Sequence, residues 1–203
     1  MINVRQNRED FITVFNSQIV ETYPQAKDLL EWLKTTDFFT APASTKYHSA
    51  EPGGLCYHSL LVFDCLWDML QTPTFQDLAE TYDKADIALI SLCHDLCKVN
   101  YYKQSKRNVK QTIDGKEQWV EQLYYIKDEK FVFGHGEKSV FYLMKYIHNI
   151  PDEVLQAVKY HMGGINGSQV DQDSSPVFAH NKLALALHLA DMTATFALEE
   201  RLD

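Results

Sequence analysis

Two polar metal-binding side chains, His94 and Asp95, stand side by side in the otherwise mostly apolar stretch Leu92-Cys93-His94-Asp95-Leu96-Cys97-Lys98. Removing an imidazole and a carboxylate from water is costly unless each meets a partner. A chain that buries this segment must therefore bring partners to it from elsewhere. Four further residues, His58, His135, His161 and Asp191, complete the order His…His-Asp…His…His…Asp. Imidazole nitrogens and carboxylate oxygens together suit divalent transition metals, and six such side chains are enough to hold two ions. The expected cofactor is one or two divalent transition-metal ions, drawn from Mn, Fe, Co, Ni and Zn.

The spacing of apolar residues predicts a mainly α fold. Tyr23 to Thr36 carries Leu29, Leu30, Trp32 and Leu33 along one side, as an amphipathic helix does. Phe38 to Pro52 reads as a loop on its prolines, and Gly53-Gly54 opens an apolar helix through Met69 or Leu70 that carries His58. Asp83 or Asp86 can start the next, Ile87 to Lys98, with His94 and Asp95 near its end. From about 109 to 133 the pattern alternates instead. Asp114-Gly115 signals a tight turn, so the stretch reads as a β-hairpin insertion with a possible third strand at Lys130 to Phe133. Helices follow from Gly134 to Ile147 or His148, from Pro151 to near His161, and from about Ala179 to Leu198, with Gly163 to Pro176 as a polar loop. The 203 residues form a single domain, with 1–37 as an N-terminal helical extension.

A net charge of −9 argues against non-specific binding to nucleic acid or to anionic membranes. No apolar run approaches the ~20 residues of a membrane span. Cys56, Cys65, Cys93 and Cys97 sit in apolar helical segments and read as reduced core residues, although the spacing of Cys93 and Cys97 also suits zinc. A soluble, cytoplasmic protein follows.

The segments Gly53-Gly54-Leu55-Cys56-Tyr57-His58-Ser59-Leu60, His94-Asp95-Leu96-Cys97-Lys98, Gly134-His135-Gly136-Glu137-Lys138-Ser139, Tyr160-His161-Met162-Gly163-Gly164 and His188-Leu189-Ala190-Asp191 together resemble the HD-domain superfamily of metal-dependent phosphohydrolases. The resemblance spans roughly Phe38 to Leu198. It implies an HD-type helical bundle around a dinuclear ligand set: His58, His94, Asp95, His135, His161 and Asp191. Phe38 to His58 is also similar to HD domains attached to bacterial 3′-5′ exoribonucleases, and the whole arrangement to small phage and prophage HD hydrolases.

The activity implied is cleavage of a phosphoester in a nucleotide or related small phosphorylated substrate by metal-activated hydroxide. Asp95 would be the catalytic bridging ligand, and Lys98 would face substrate and stabilise the transition state. Lys103, Lys106, Arg107 and Lys110 form a basic patch, of which Lys103 and Arg107 are candidate substrate contacts. His48, ten residues before His58, is another, and His188 suits a packing or orienting role three residues before Asp191. Tyr101-Tyr102 and Tyr124-Tyr125 either pack the hairpin or stack on a base. The same ligand order also serves HD-type diiron oxygenases. An exonuclease and a non-catalytic nucleotide-binding domain are the further alternatives.

Overall fold

The structure, a computed structural model, describes residues 2–163, 165–166, 169–170 and 174–199. Among them are nine α-helices, with a long irregular segment between Lys34 and Gly54 and one long β-hairpin interrupting the helices. The helices are α1 (Val4–Gln18), α2 (Ala26–Lys34), α3 (Gly54–Met69), α4 (Leu78–Thr81), α5 (Lys84–Cys93), α6 (His135–Tyr146), α7 (Asp152–Tyr160), α8 (Ser174–His180) and α9 (Lys182–Thr193). Strands β1 (Tyr102–Ile113) and β2 (Lys116–Lys127) make the hairpin, and the two-residue strands β3 (Ile165–Asn166) and β4 (Gln169–Val170) pair separately.

At the centre lies α5. All its residues from Ala85 to Cys93 are buried, as expected of a helix that is apolar almost all round. Asp83 caps it, its carboxylate accepting the Ala85 N–H at 2.8 Å. Helix α3 packs on α5, α5 on α7, α7 on α9 and α9 back on α3, closing a ring of four. Asn181 caps α9 and also donates to the Glu153 carbonyl at 2.8 Å, which ties α9 to α7. Helix α1 lies against α3 and α5 and contributes Phe11 and Phe15 to the common core. Its Phe11 ring meets Phe38 edge-on, with centroids 4.9 Å apart. The buried Asp86 carboxylate on α5 accepts a hydrogen bond from the Tyr23 hydroxyl.

Several expected boundaries move. The helix expected over Tyr23 to Thr36 is regular only from Ala26 to Lys34. The one expected over Ile87 to Lys98 runs from Lys84 and stops at Cys93; His94 keeps helical angles, Asp95 leaves them (φ −104°, ψ 22°), and Leu96–Lys98 is a 3₁₀ turn. The hairpin starts at Tyr102 rather than near 109, and ends at Lys127 with no third strand at Lys130 to Phe133. Its strands alternate poorly in hydrophobicity because both faces of this two-stranded ribbon are largely exposed. Asp114 and Gly115 turn it with φ of 52° and 76°, both left-handed, as a two-residue hairpin turn requires. The end of the stretch expected to be loop, Ser174 to Pro176, is instead the start of helix α8, and 164, 167–168 and 171–173 lie outside the described residues. The last helix begins at Lys182 and passes at Ala194–Leu198 into a wider π turn.

Candidate metal centre

The helical ring delivers one ligand from each of its members. His58 lies on α3, His94 caps the end of α5, His161 caps the end of α7, and Asp191 lies on α9. His135, the first residue of α6, comes in from outside the ring. The approach of α6 to α7 requires a glycine: a Cβ on Gly136 would stand 1.9 Å from the Lys159 carbonyl oxygen. That contact, two residues before His161, draws His135 to it, with ring centroids 5.1 Å apart.

Asp95 stands in the middle. Its Oδ2 is 3.6 Å from His58 Nε2 and 3.4 Å from His94 Nε2, whereas its Oδ1 is 2.9 Å from His135 Nε2 and 3.6 Å from His161 Nε2. Asp191 Oδ1 approaches His58 Nε2 at 3.2 Å. The groups close enough to share an ion include His58, His94 and Asp95, then His94, His161 and Asp191, and on the far side Asp95, His135 and His161. All six expected ligands are therefore brought together. His58, His94, Asp95 and His161 are almost wholly buried.

The imidazole partners show what this cluster lacks. His94 Nδ1–H donates to the Ser91 carbonyl at 2.8 Å, His161 Nδ1–H to the Val158 carbonyl at 2.6 Å, and His58 Nδ1–H to Glu199 Oε1 at 2.5 Å. With Nδ1 committed to these acceptors, the neutral form of each ring turns its Nε2 lone pair inward, and at His58 an incoming ion takes the place of the Nε2 proton that faces Asp191. The Nε2 atoms of His58 and His94 face each other at 3.1 Å, and His161 Nε2 is buried with no hydrogen-bond partner among the described residues. Converging lone pairs beside two carboxylates call for positive charge, and a divalent ion held by nitrogen and oxygen donors fits that demand. His135 differs. Its Nδ1 lies 3.3 Å from the Cys97 thiol, with no carbonyl or carboxylate holding it among the described residues.

Ionisation follows the same field. Burial works against the His58 imidazolium, but Asp191 and Glu199 outweigh it and hold its pKa up at about 9. Burial lowers His94 and His135. It would raise Asp95, yet Lys98, His94 and His135 keep that carboxylate well below its ordinary range. Burial likewise opposes the Lys98 ammonium, but Asp95 and Tyr102 hold its pKa above normal, so it stays charged. Its Nζ sits 2.6 Å from Asp95 Oδ2.

Beside His135 opens a cavity of about 510 Å³, lined by Lys98, Tyr101, Tyr102, Lys127 and Lys138 among others. Lys103 and Arg107 do not line it. Arg107 instead lies over the Tyr124 ring and donates to Gln122 on the neighbouring strand, while Lys106 and Lys110 pair with Glu121 and Glu117. Lys127 and Lys138 both lie over the Tyr101 ring, and the Tyr102 hydroxyl donates to the Ala43 carbonyl, which makes packing the visible role of these tyrosines. His48 meets Glu199 Oε2 at 2.9 Å and its ring lies beside that of His58, with centroids 5.1 Å apart. His188 donates to the His161 carbonyl at 2.6 Å, an orienting contact. Cys93 sits in the core.

Glu199 was not foreseen. It is a buried carboxylate whose two oxygens take His58 and His48, and they hold its pKa down to about 2 against the upward pull of burial. The only signal in the chain is its position eight residues after Asp191. Among the described residues no helix is long and apolar enough to cross a membrane. Searches of protein-family models, curated proteins and solved structures returned no match to this chain.

Proposed function

We propose that this chain is an HD-type metal-dependent phosphohydrolase acting on a nucleotide or a related small phosphorylated substrate. The observation that carries the reading is the split of Asp95, whose two oxygens face different pairs of histidines. His58, His94, Asp95 and Asp191 would hold one ion, and Asp95, His135 and His161 a second. Divalent ions so held would supply an activated water for attack on phosphorus and neutralise charge on the phosphoryl oxygens.

The chain's own residues supply the rest. Lys98, with its Nζ 2.6 Å from Asp95 Oδ2, is placed to meet a phosphoryl oxygen as a fixed cation. It lies at the seam between the metal ligands and the cavity, so a substrate whose phosphate meets Asp95 extends its remainder past Tyr101 and Tyr102. Lys127 adds a positive charge to that wall, whereas Lys138 is paired with Glu129, another lining residue, at 3.0 Å. The cavity is of a size usual for small-molecule sites.

The test is a screen of Mn²⁺- or Co²⁺-loaded protein against nucleotides, cyclic nucleotides and short oligonucleotides, following phosphate and nucleoside release. Asp95→Ala is expected to abolish turnover and to lower the Mn²⁺ stoichiometry. Turnover that survives this substitution refutes the assignment. Dioxygen consumption by iron-loaded protein, with no phosphate released, would move the reading to an HD-type diiron oxygenase.

A further inference from the structure

We infer that Glu199 is a positioning residue of the metal centre: it fixes His58 in its metal-binding tautomer and fastens the segment bearing His48 to the same carboxylate. The inference rests on the reading that His58 holds an ion.

Glu199 is out of place by ordinary rules. Its side chain is fully buried, whereas Phe196 and Leu198 just before it are 59% and 52% exposed. Burying a carboxylate is costly unless both oxygens are met. Here both are met, and by imidazoles: His58 Nδ1 at 2.5 Å on one oxygen and His48 Nδ1 at 2.9 Å on the other. The π turn Ala194–Leu198 delivers it, ending with the Glu199 N–H bonded to the Ala194 carbonyl at 3.0 Å. Single π turns recur at functional sites.

His58 is thereby set apart from its neighbours. His94 and His161 rest their Nδ1–H on backbone carbonyls, which are neutral. His58 rests on a charged carboxylate, which makes its Nε2 the stronger donor. The same carboxylate links the loop at His48 and helix α3 to the segment after α9, which lies 141 residues beyond His58. Ion binding at His58 and the docking of that last segment are therefore energetically linked.

The experiment uses the full chain with Glu199→Gln and Glu199→Ala. Mn²⁺ affinity is measured by competition with a chelator, the Co²⁺ absorption spectrum reports the ligand field, and circular dichroism melts confirm folding. Glu199→Gln keeps the shape and an acceptor for His58 but removes the charge. It is expected to weaken Mn²⁺ binding roughly 10- to 100-fold and to shift the cobalt bands, with Glu199→Ala at or beyond the upper end. Folded Glu199→Gln with wild-type Mn²⁺ affinity and an unchanged cobalt spectrum overturns the inference, leaving Glu199 a mere fastening. If Glu199→Ala fails to fold, the near-isosteric Gln variant decides alone. Wild-type protein that binds neither Mn²⁺ nor Co²⁺ would instead remove the metal-centre reading beneath it.

Discussion

Replacing Lys98 with Met keeps the aliphatic stem and deletes the ammonium. The lysine Nζ lies 2.6 Å from Asp95 Oδ2, with the two side chains 13% and 3% exposed. At that separation unit charges attract by about 6 kcal/mol at an effective dielectric near 20, most of it offset by keeping both out of water. Removing one partner uncovers that cost, about 3–5 kcal/mol for buried pairs. Asp95 retains His135 on its other oxygen at 2.9 Å, which places the loss near the low end. At about 2–4 °C per kcal/mol for a chain of this size, metal-free Lys98→Met should melt about 6–12 °C below wild type. Saturating Mn²⁺ restores a positive neighbour to Asp95, so with metal the gap should narrow sharply. The thermodynamic cycle then requires the variant to bind Mn²⁺ more tightly, tenfold for each ~1.4 kcal/mol by which the gap closes, even as turnover falls. Melts in chelator and in Mn²⁺, with chelator-competition titrations, measure every leg. Equal melting losses with and without metal, and unchanged or weaker Mn²⁺ affinity, would refute the reasoning and reduce Lys98 to a packing element.

Two further outcomes follow from the buried polar groups. With metal removed, the His58 pKa of about 9 lies above its unfolded value, so its stabilisation is complete below pH ~6.5 and is lost as pH rises through 9. Melts in chelator from pH 6 to 10 should lose roughly 3 kcal/mol of stability that a saturating ion largely conceals, and a flat metal-free profile would deny the contribution. Tyr23→Phe removes the donor to the buried Asp86 carboxylate and should cost about 1.5–3 kcal/mol, leaving Mn²⁺ affinity unchanged because Asp86 lies at the opposite end of α5 from His94. Thermal melts and the same titration check both halves of that statement.

The ligand set was legible because six metal-binding side chains recur in apolar or helix-end settings, where an idle His or Asp is expensive. The helix start at Gly54 was legible from its glycines, whereas two aspartates, Asp83 and Asp86, left the start of α5 open until the Asp83 cap placed it at Lys84. The break at Asp95 was not, because neither Gly nor Pro marks it, and apolar Leu96 and Cys97 continue the helical pattern through a 3₁₀ turn. The first seven residues of β1 escaped notice for the opposite reason. With water on both faces, Lys103 to Asn108 carry no period for a buried side to impose. Glu199 escaped because an acid near other acids at the end of a helix reads as a solvated face. Only the fold shows that His48 and His58 meet it there.

The turn that places His94 and Asp95 is also stapled sideways. The Cys97 N–H donates to Ser139 Oγ on α6 at 3.0 Å, one helical turn beyond His135. A displacement of α6 would therefore pull on the Asp95 backbone and withdraw the His135 ring in the same stroke. Ions on the two flanks of that aspartate would loosen in concert, so a titration with chelator should strip the centre cooperatively rather than one flank at a time.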